Sequence, residues 1–275
     1  MASLRNFSIV SALLFVVPVG ALAVGCTVEN DDPPDPGPQY TYPAEADFCA
    51  AIATAECTDA VVDACYASAP EKLAEDRAKC VGLRKESTRC NPSSFAYFPQ
   101  FADACVASRQ KIYADAELTK TEIEDDYEAC LPVFSRGGGK GSVCTTDIDC
   151  DTAAELRCVV KGTPAAGSCQ KPIEAAGGDE CTAADTLCED THYCDGSNCL
   201  TRKAAGAACS DAILCGEDLK CEALVCEEKL GGGETCTADV DCQGFCILTA
   251  GEITGTCAGK IVLAISSQTC DPFQP

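Results

Sequence analysis

The chain has 275 residues, with 43 Asp+Glu against 20 Lys+Arg and a formal net charge of −23. That sign repels nucleic acid and anionic lipid headgroups. Aromatics at 6% without Trp argue against a large aromatic-lined pocket or a sugar-stacking platform, and 25 cysteines point away from the reducing cytosol, to a place where disulfides persist.

Residues 1–25 read as a signal peptide. Arg5 is the only charge before Glu29, and Phe7 to Val24 is apolar or small. Leu22-Ala23-Val24-Gly25-Cys26 resembles a bacterial lipobox, in which the cysteine thiol receives diacylglycerol; Cys26 is the expected lipidation site. The family prefers Leu three residues before the cysteine, where this chain has Ala23. Two alternatives stay open: cleavage by an ordinary signal peptidase at Ala21-Leu22-Ala23, or an uncut span from Phe7 to Val28. Residues 26–43 carry Pro33, Pro34, Pro36, Pro38 and Pro43 and read as an extended tether. Such a tether reaches up to ~50 Å at about 3.1 Å per residue. Removing the leader leaves 19 Lys+Arg against 43 Asp+Glu, net −24, a charge that favours cations, basic partners or simple solubility.

Residues 44–134 read as a helical disulfide module. Phe48, Ile52 and Ala55 recur at helical spacing, Val61, Val62, Cys65 and Tyr66 form a second face, and Phe101, Cys105, Ser108 and Ile112 a third. Ser68-x-x-Glu71 with Pro70 is a start signal ahead of Leu73, Cys80 and Val81. Thr119-x-x-Glu122 opens a last helix with Ile123, Tyr127, Cys130 and Leu131 on one stripe, ended by Pro132. The module holds Cys49, Cys57, Cys65, Cys80, Cys90, Cys105 and Cys130, an odd seven.

A Gly-rich stretch, 135–143, reads as a linker. Its Arg136-Gly-Gly-Gly-Lys140-Gly-Ser142 lacks the order of a phosphate-binding loop. Residues 144–257 then read as four tandem four-cysteine hairpin units: 144–169 (Cys144, Cys150, Cys158, Cys169), 181–199 (Cys181, Cys188, Cys194, Cys199), 209–226 (Cys209, Cys215, Cys221, Cys226) and 236–257 (Cys236, Cys242, Cys246, Cys257). The expected form is tiny two-stranded hairpins strung as beads, each too short to bury a core and stapled instead. Each unit allows three connectivities; first to third with second to fourth is the preferred one. A C-terminal tail, 258–275, has a strand-like run from Ile261 to Ile265, and its Cys270 is expected to pair with the odd cysteine of the helical module. The fold class is thus small and disulfide-rich: a short α-helical cysteine module followed by the four hairpin units.

The unit pattern resembles the start of the Dickkopf amino-terminal cysteine-rich domain, with Cys181 to Cys199 and its His192-Tyr193-Cys194 the nearest copy. Leader, proline tether, helical module and repeats together look like cysteine-rich lipoproteins of myxobacteria. The resemblance implies location more than activity.

Chemistry finds little footing. No two cysteines stand in a Cys-x2-Cys pair, and His192 is the only histidine, so zinc and Ser/His or Cys/His catalysis lack their usual residues. Asp147, Asp149 and Asp151 alternate like the start of an EF-hand loop and form the weak calcium candidate. Thr152 and Cys158 stand where that loop needs Gly and Glu, so turn capping is the competing role. No other metal, no catalytic residue and no cofactor beyond the diacylglycerol on Cys26 is expected. The reading is a non-enzymatic exported lipoprotein, anchored outside the inner membrane at the outer membrane or cell surface. It would present a stapled scaffold for an unknown protein partner or for envelope structure, with Val159–Ser168 and Ile247–Thr256 as its longer loops. The alternatives are a secreted inhibitor or toxin-like effector, and an enzyme using the helical module.

Overall fold

The structure is a computed structural model and describes residues 38–66, 69–86, 95–161, 167–248, 252–265 and 268–274. The leader, Cys26, Ser68 and Cys90 lie outside the described residues. Five helices come first: α1 (Glu45–Glu56), α2 (Asp59–Tyr66), α3 (Leu73–Glu86), α4 (Ala102–Ile112) and α5 (Lys120–Cys130). Glu45 and Asp47 in the first turn of α1 favour its positive end. The capping signal at Thr119 is realised. The Thr119 hydroxyl accepts from the Glu122 N–H, and the Glu122 carboxylate accepts from the Thr119 N–H. Helix α3 follows a 3-10 turn, Pro70–Lys72, whose cap position is Ala69, a residue with no side-chain acceptor to offer.

Two apolar clusters form between these helices. One gathers Phe48, Ala55, Ala102, Val106 and Val133, with the rings of Phe48, Tyr97 and Phe134 5.5–5.8 Å apart, the last two on the paired strands β1 (Ala96–Tyr97) and β3 (Phe134–Ser135). The other gathers Val61, Val62, Ile112 and Leu118, and it draws Leu263, Cys270 and Phe273 from the far end of the chain. The tail is therefore part of the helical core. Its strand β16 (Lys260–Val262) pairs antiparallel with β2 (Glu117–Thr119), Ile261 opposite Leu118. Leu263 and Ile265 then donate to the Ala116 and Ala64 carbonyls, and Cys65 bonds Cys270 across 205 residues of sequence. Cys57–Cys80 and Cys105–Cys130 pin helix pairs.

In all four cysteine-bearing segments the first cysteine bonds the third and the second bonds the fourth. The middle two are each built on a two-stranded hairpin: β9 (His192–Cys194) with β10 (Cys199–Thr201), and β11 (Leu219–Glu222) with β12 (Val225–Glu228). The outer two depart from the expected hairpin and carry a third strand. In 144–169, β4 (Val143–Cys144) and β5 (Arg157–Val160) flank β6 (Gly167–Gln170). In 236–257, β13 (Thr235–Cys236) and β14 (Phe245–Leu248) flank β15 (Gly255–Ala258).

The segments are not beads on free joints. Residues 135–143, expected as a linker, are hydrogen-bonded: Gly138 donates to the Asp149 carbonyl at 3.0 Å and accepts from Asp151 at 2.9 Å. The same parallel bridging joins Ala175 to Cys188, at the end of the strand pair β7 (Ile173–Ala175) and β8 (Thr186–Cys188), Lys203 to Cys215, and Leu230 to Cys242. The physical reason is that short segments have backbone groups to satisfy, and the incoming strand does so around each second cysteine. Three residues later a glycine (Gly141, Gly178, Gly206 or Gly233) takes φ of 80–91° and donates to the carbonyl of the fourth cysteine at 2.7–2.8 Å. That left-handed turn is what selects glycine there.

Both ends of residues 144–257 are rooted on the helices. Arg157 pairs with Glu128 at 2.5 Å and the Thr152 hydroxyl donates to the Leu131 carbonyl at 3.3 Å, while β16 follows the last cysteine directly. Residues Gln39–Pro275 accordingly form one compact unit. Replacing Cys65 and Cys270 together by Ala is expected to lower stability by about 3–5 kcal/mol, because the bridge closes a long loop. A urea titration followed by far-UV circular dichroism reads it, and an unchanged midpoint contradicts the role given to this bridge.

Candidate functional site

Four helices meet at a buried ionic chain. Glu56 ends α1 and is 2% exposed. Arg84 of α3 donates from Nε to one of its oxygens at 2.5 Å, and Arg109 of α4 reaches the other at 3.3 Å. Arg109 also pairs with Asp126 of α5 at 3.0 Å. Arg84 goes on to the tail, donating to the Pro272 carbonyl at 3.2 Å with its guanidinium 5.3 Å from the Phe273 ring centre. The Tyr66 hydroxyl donates to the Phe273 carbonyl, fixing the other side of the same segment. Burial opposes the Arg84 charge, but the hydrogen bond and attraction to Glu56 outweigh it and hold the pKa above its usual value. Burial pushes the Tyr113 phenol up, with Glu56 adding to the effect.

Beside this chain lies a cavity of about 570 Å³. Ile112, Leu118 and Ile123 form one wall, and Ile261, Leu263 and Phe273 of the tail form the other. Arg84, Arg109 and Asp126 line its polar part, with Tyr113 and Tyr127. The sequence pattern singles out none of these residues for chemistry. The readable signal is a charge on an apolar stripe: Glu56 falls at i+8 from Phe48 and i+4 from Ile52, and Asp126 at i+3 from Ile123. Tyr127, expected on the core stripe, is 49% exposed, and Asp126 is buried in its place.

The cysteines expected to bridge do so wherever they are described, and Cys49 is disulfide-bonded as well. In each four-cysteine segment, three sulfur atoms from its two bridges lie within 4.8 Å of one another. These trios have the spacing of soft-metal sites, but their sulfurs are in disulfides rather than thiolates.

The weak calcium candidate Asp147, Asp149 and Asp151 is not brought together as one such cluster. Asp149 accepts from the Thr145 N–H and hydroxyl at 2.9 Å each and from the Thr146 N–H at 3.1 Å, and it meets Arg136 at 2.8 Å. Asp147 accepts from the Cys158 N–H at 2.7 Å, and Asp151 from the Ala154 N–H at 3.2 Å. Asp241 and Asp239 repeat the first two roles on Thr237, Ala238 and Cys246. The carboxylates are turn locks. The Thr145 and Thr146 donors, aided by Arg136, lower the Asp149 pKa to about 2. Asp241 is lowered for the same reason.

His192 is held by threonines: its Nδ1 is 2.9 Å from the Thr191 hydroxyl and its Nε2 3.4 Å from that of Thr201. Gly177 packs against the ring so closely that a Cβ there would lie 2.2 Å from Nε2. The loops Val159–Ser168 and Ile247–Thr256 fall partly outside the described residues.

Comparison with known proteins found no matching family model, no matching curated protein and no matching solved structure.

Glu56→Gln is expected to cost about 3–5 kcal/mol, because it leaves two buried guanidiniums short of a charge. Denaturant unfolding checks this, with Glu155→Gln, which breaks only an exposed pair, as a control that leaves the midpoint in place. By carboxyl-detected NMR, Asp149 is expected to titrate at about 2. Because its folded pKa is depressed, its contribution to stability is full above about pH 4 and is lost as pH falls towards about 2. A midpoint near the ordinary carboxylate value contradicts the turn lock.

Proposed function

We propose that this protein is an exported, lipid-anchored, non-enzymatic scaffold. In this reading residues 144–257 are four copies of one stapled unit, each resembling the start of the Dickkopf cysteine-rich domain. Cys26 carries diacylglycerol, residues 26–43 are the tether, and the exposed loops of the array contact a protein partner in the cell envelope. The observation that carries the reading is the pairing of the described cysteines into disulfides, including the one that returns the tail to the helices. So many bridges suit an oxidising compartment. The hydrogen bonds repeated around each second cysteine support four copies of a single unit. No helix among the described residues is long and apolar enough to cross a membrane.

One feature favours the alternative of a secreted inhibitor or effector. The turn between β11 and β12 places Ala223 (φ 48°) and Leu224 (φ 67°) in the left-handed region, and Leu224 is 69% exposed. A bulky residue there stores strain and presents a rigid apolar tip.

Metabolic labelling with palmitate separates the two. The anchored reading expects label on the wild type, loss of label in Cys26→Ala and retention of the protein with the envelope. An unlabelled protein released quantitatively into the medium contradicts it and supports the effector.

A further inference from the structure

We propose that the cavity between α4, α5, β2 and the tail is a binding site for a small organic monoanion, a single carboxylate on an apolar body. This goes beyond the scaffold reading and does not depend on it. Three observations converge. First, the charged lining of the cavity is basic by two to one, the reverse of the chain as a whole; Glu56 bonds both arginines but does not line the space. Acids outnumber bases 43 to 20 overall, but the charged residues lining this space are Arg84, Arg109 and a single acid, Asp126. Second, Arg84 commits Nε to Glu56 and Nη1 to the Pro272 carbonyl, and its Nη2 has no partner among the described residues. A carboxylate oxygen accepting from that nitrogen makes a charge-assisted hydrogen bond. Third, most of the remaining wall is apolar, Ile112, Leu118, Ile261 and Leu263 among it, with Gln268, Thr269 and two tyrosines adding polar atoms, and about 570 Å³ lies within the range of small-molecule sites.

The same geometry sets the specificity. A guanidinium has five N–H donors, so Arg84 can hold Glu56 and the Pro272 carbonyl and still meet a ligand oxygen, while Arg109, held by Glu56 and Asp126, adds positive charge beside it. Asp126 beside Arg109 repels a second negative charge, so a dianion is disfavoured. A cation meets two arginines and is rejected. The apolar body lies along Leu118 and Ile261, under the tail segment that Cys65–Cys270 holds in place.

The test is a methyl NMR titration of the full oxidised chain, observing Ile112, Ile261 and Leu263. The probe is 3-phenylpropanoate, compared with 3-phenylpropylamine and the dianion phenylsuccinate. Saturable shifts are expected with the monoanion, weaker binding with the dianion and none with the amine. Arg84→Gln is expected to weaken binding by about tenfold or more, the loss of a charge-assisted hydrogen bond. Ile261→Trp leaves the ionic chain intact and fills the cavity, so it is expected to abolish binding; intact mass and circular dichroism confirm its bridges and fold. Absence of saturable shifts with 3-phenylpropanoate overturns the proposal. So does equal binding of the amine, or wild-type affinity in a folded Ile261→Trp.

Discussion

The disulfide between Cys65 and Cys270 is the constraint on which the rest of the molecule depends. Both cysteines are fully buried, and the bond brings residues 205 apart in sequence into one core. Without it, the entropy of ordering a distant tail opposes the β16–β2 pairing and the packing of Leu263 and Phe273. With it, the tail becomes a wall of the helical module and a partner of Arg84. Residues 136–259 are then a long excursion that leaves the helical module after Ser135 and returns at Lys260. The cysteine-rich segments are held at both ends, so their mutual arrangement is limited by the module they start from and come back to.

Within that excursion, disulfides replace an apolar core. Each four-cysteine segment has a cluster made almost wholly of cysteine, completed by one aliphatic side chain such as Leu156, Ala175, Leu219 or Leu230. Burying one such residue contributes about 3 kcal/mol at most, too little to order a segment of this length. Bridges supply the difference by restricting the unfolded chain. Carboxylate and glycine turns supply the direction, as at Asp149 and Gly233, by satisfying backbone groups that a short sheet leaves open. Acidic residues thus act inside the turns as well as on the solvated surface.

Much of this is legible in the residues. Cysteine parity links the tail to the helices, and the Thr119-x-x-Glu122 signal marks the start of α5. Three features are not legible in the same way. Gly-x-x-Cys precedes the first cysteine of every segment, at Gly141, Gly178, Gly206 and Gly233, but its meaning is a backbone bond to a residue 20–28 positions later, which local spacing does not display. The parallel bridges to each second cysteine use main-chain atoms and leave no side-chain pattern, so residues 135–143 look like a joint. The outer strands β4 and β13 are two residues long, below the reach of any alternation. The ionic chain hides for another reason: Glu56 and Asp126 sit on apolar stripes, and a charge there reads as noise until its partners on other helices are known.

The scaffold reading and the cavity at the tail both require that Cys270 closes on the helical module. The most direct measurement is non-reducing peptide mapping of the exported protein by mass spectrometry. The account requires a Cys65–Cys270 linked peptide, together with first-to-third and second-to-fourth links in each four-cysteine segment. A Cys270 recovered as a free thiol, or linked within residues 144–257, would contradict it.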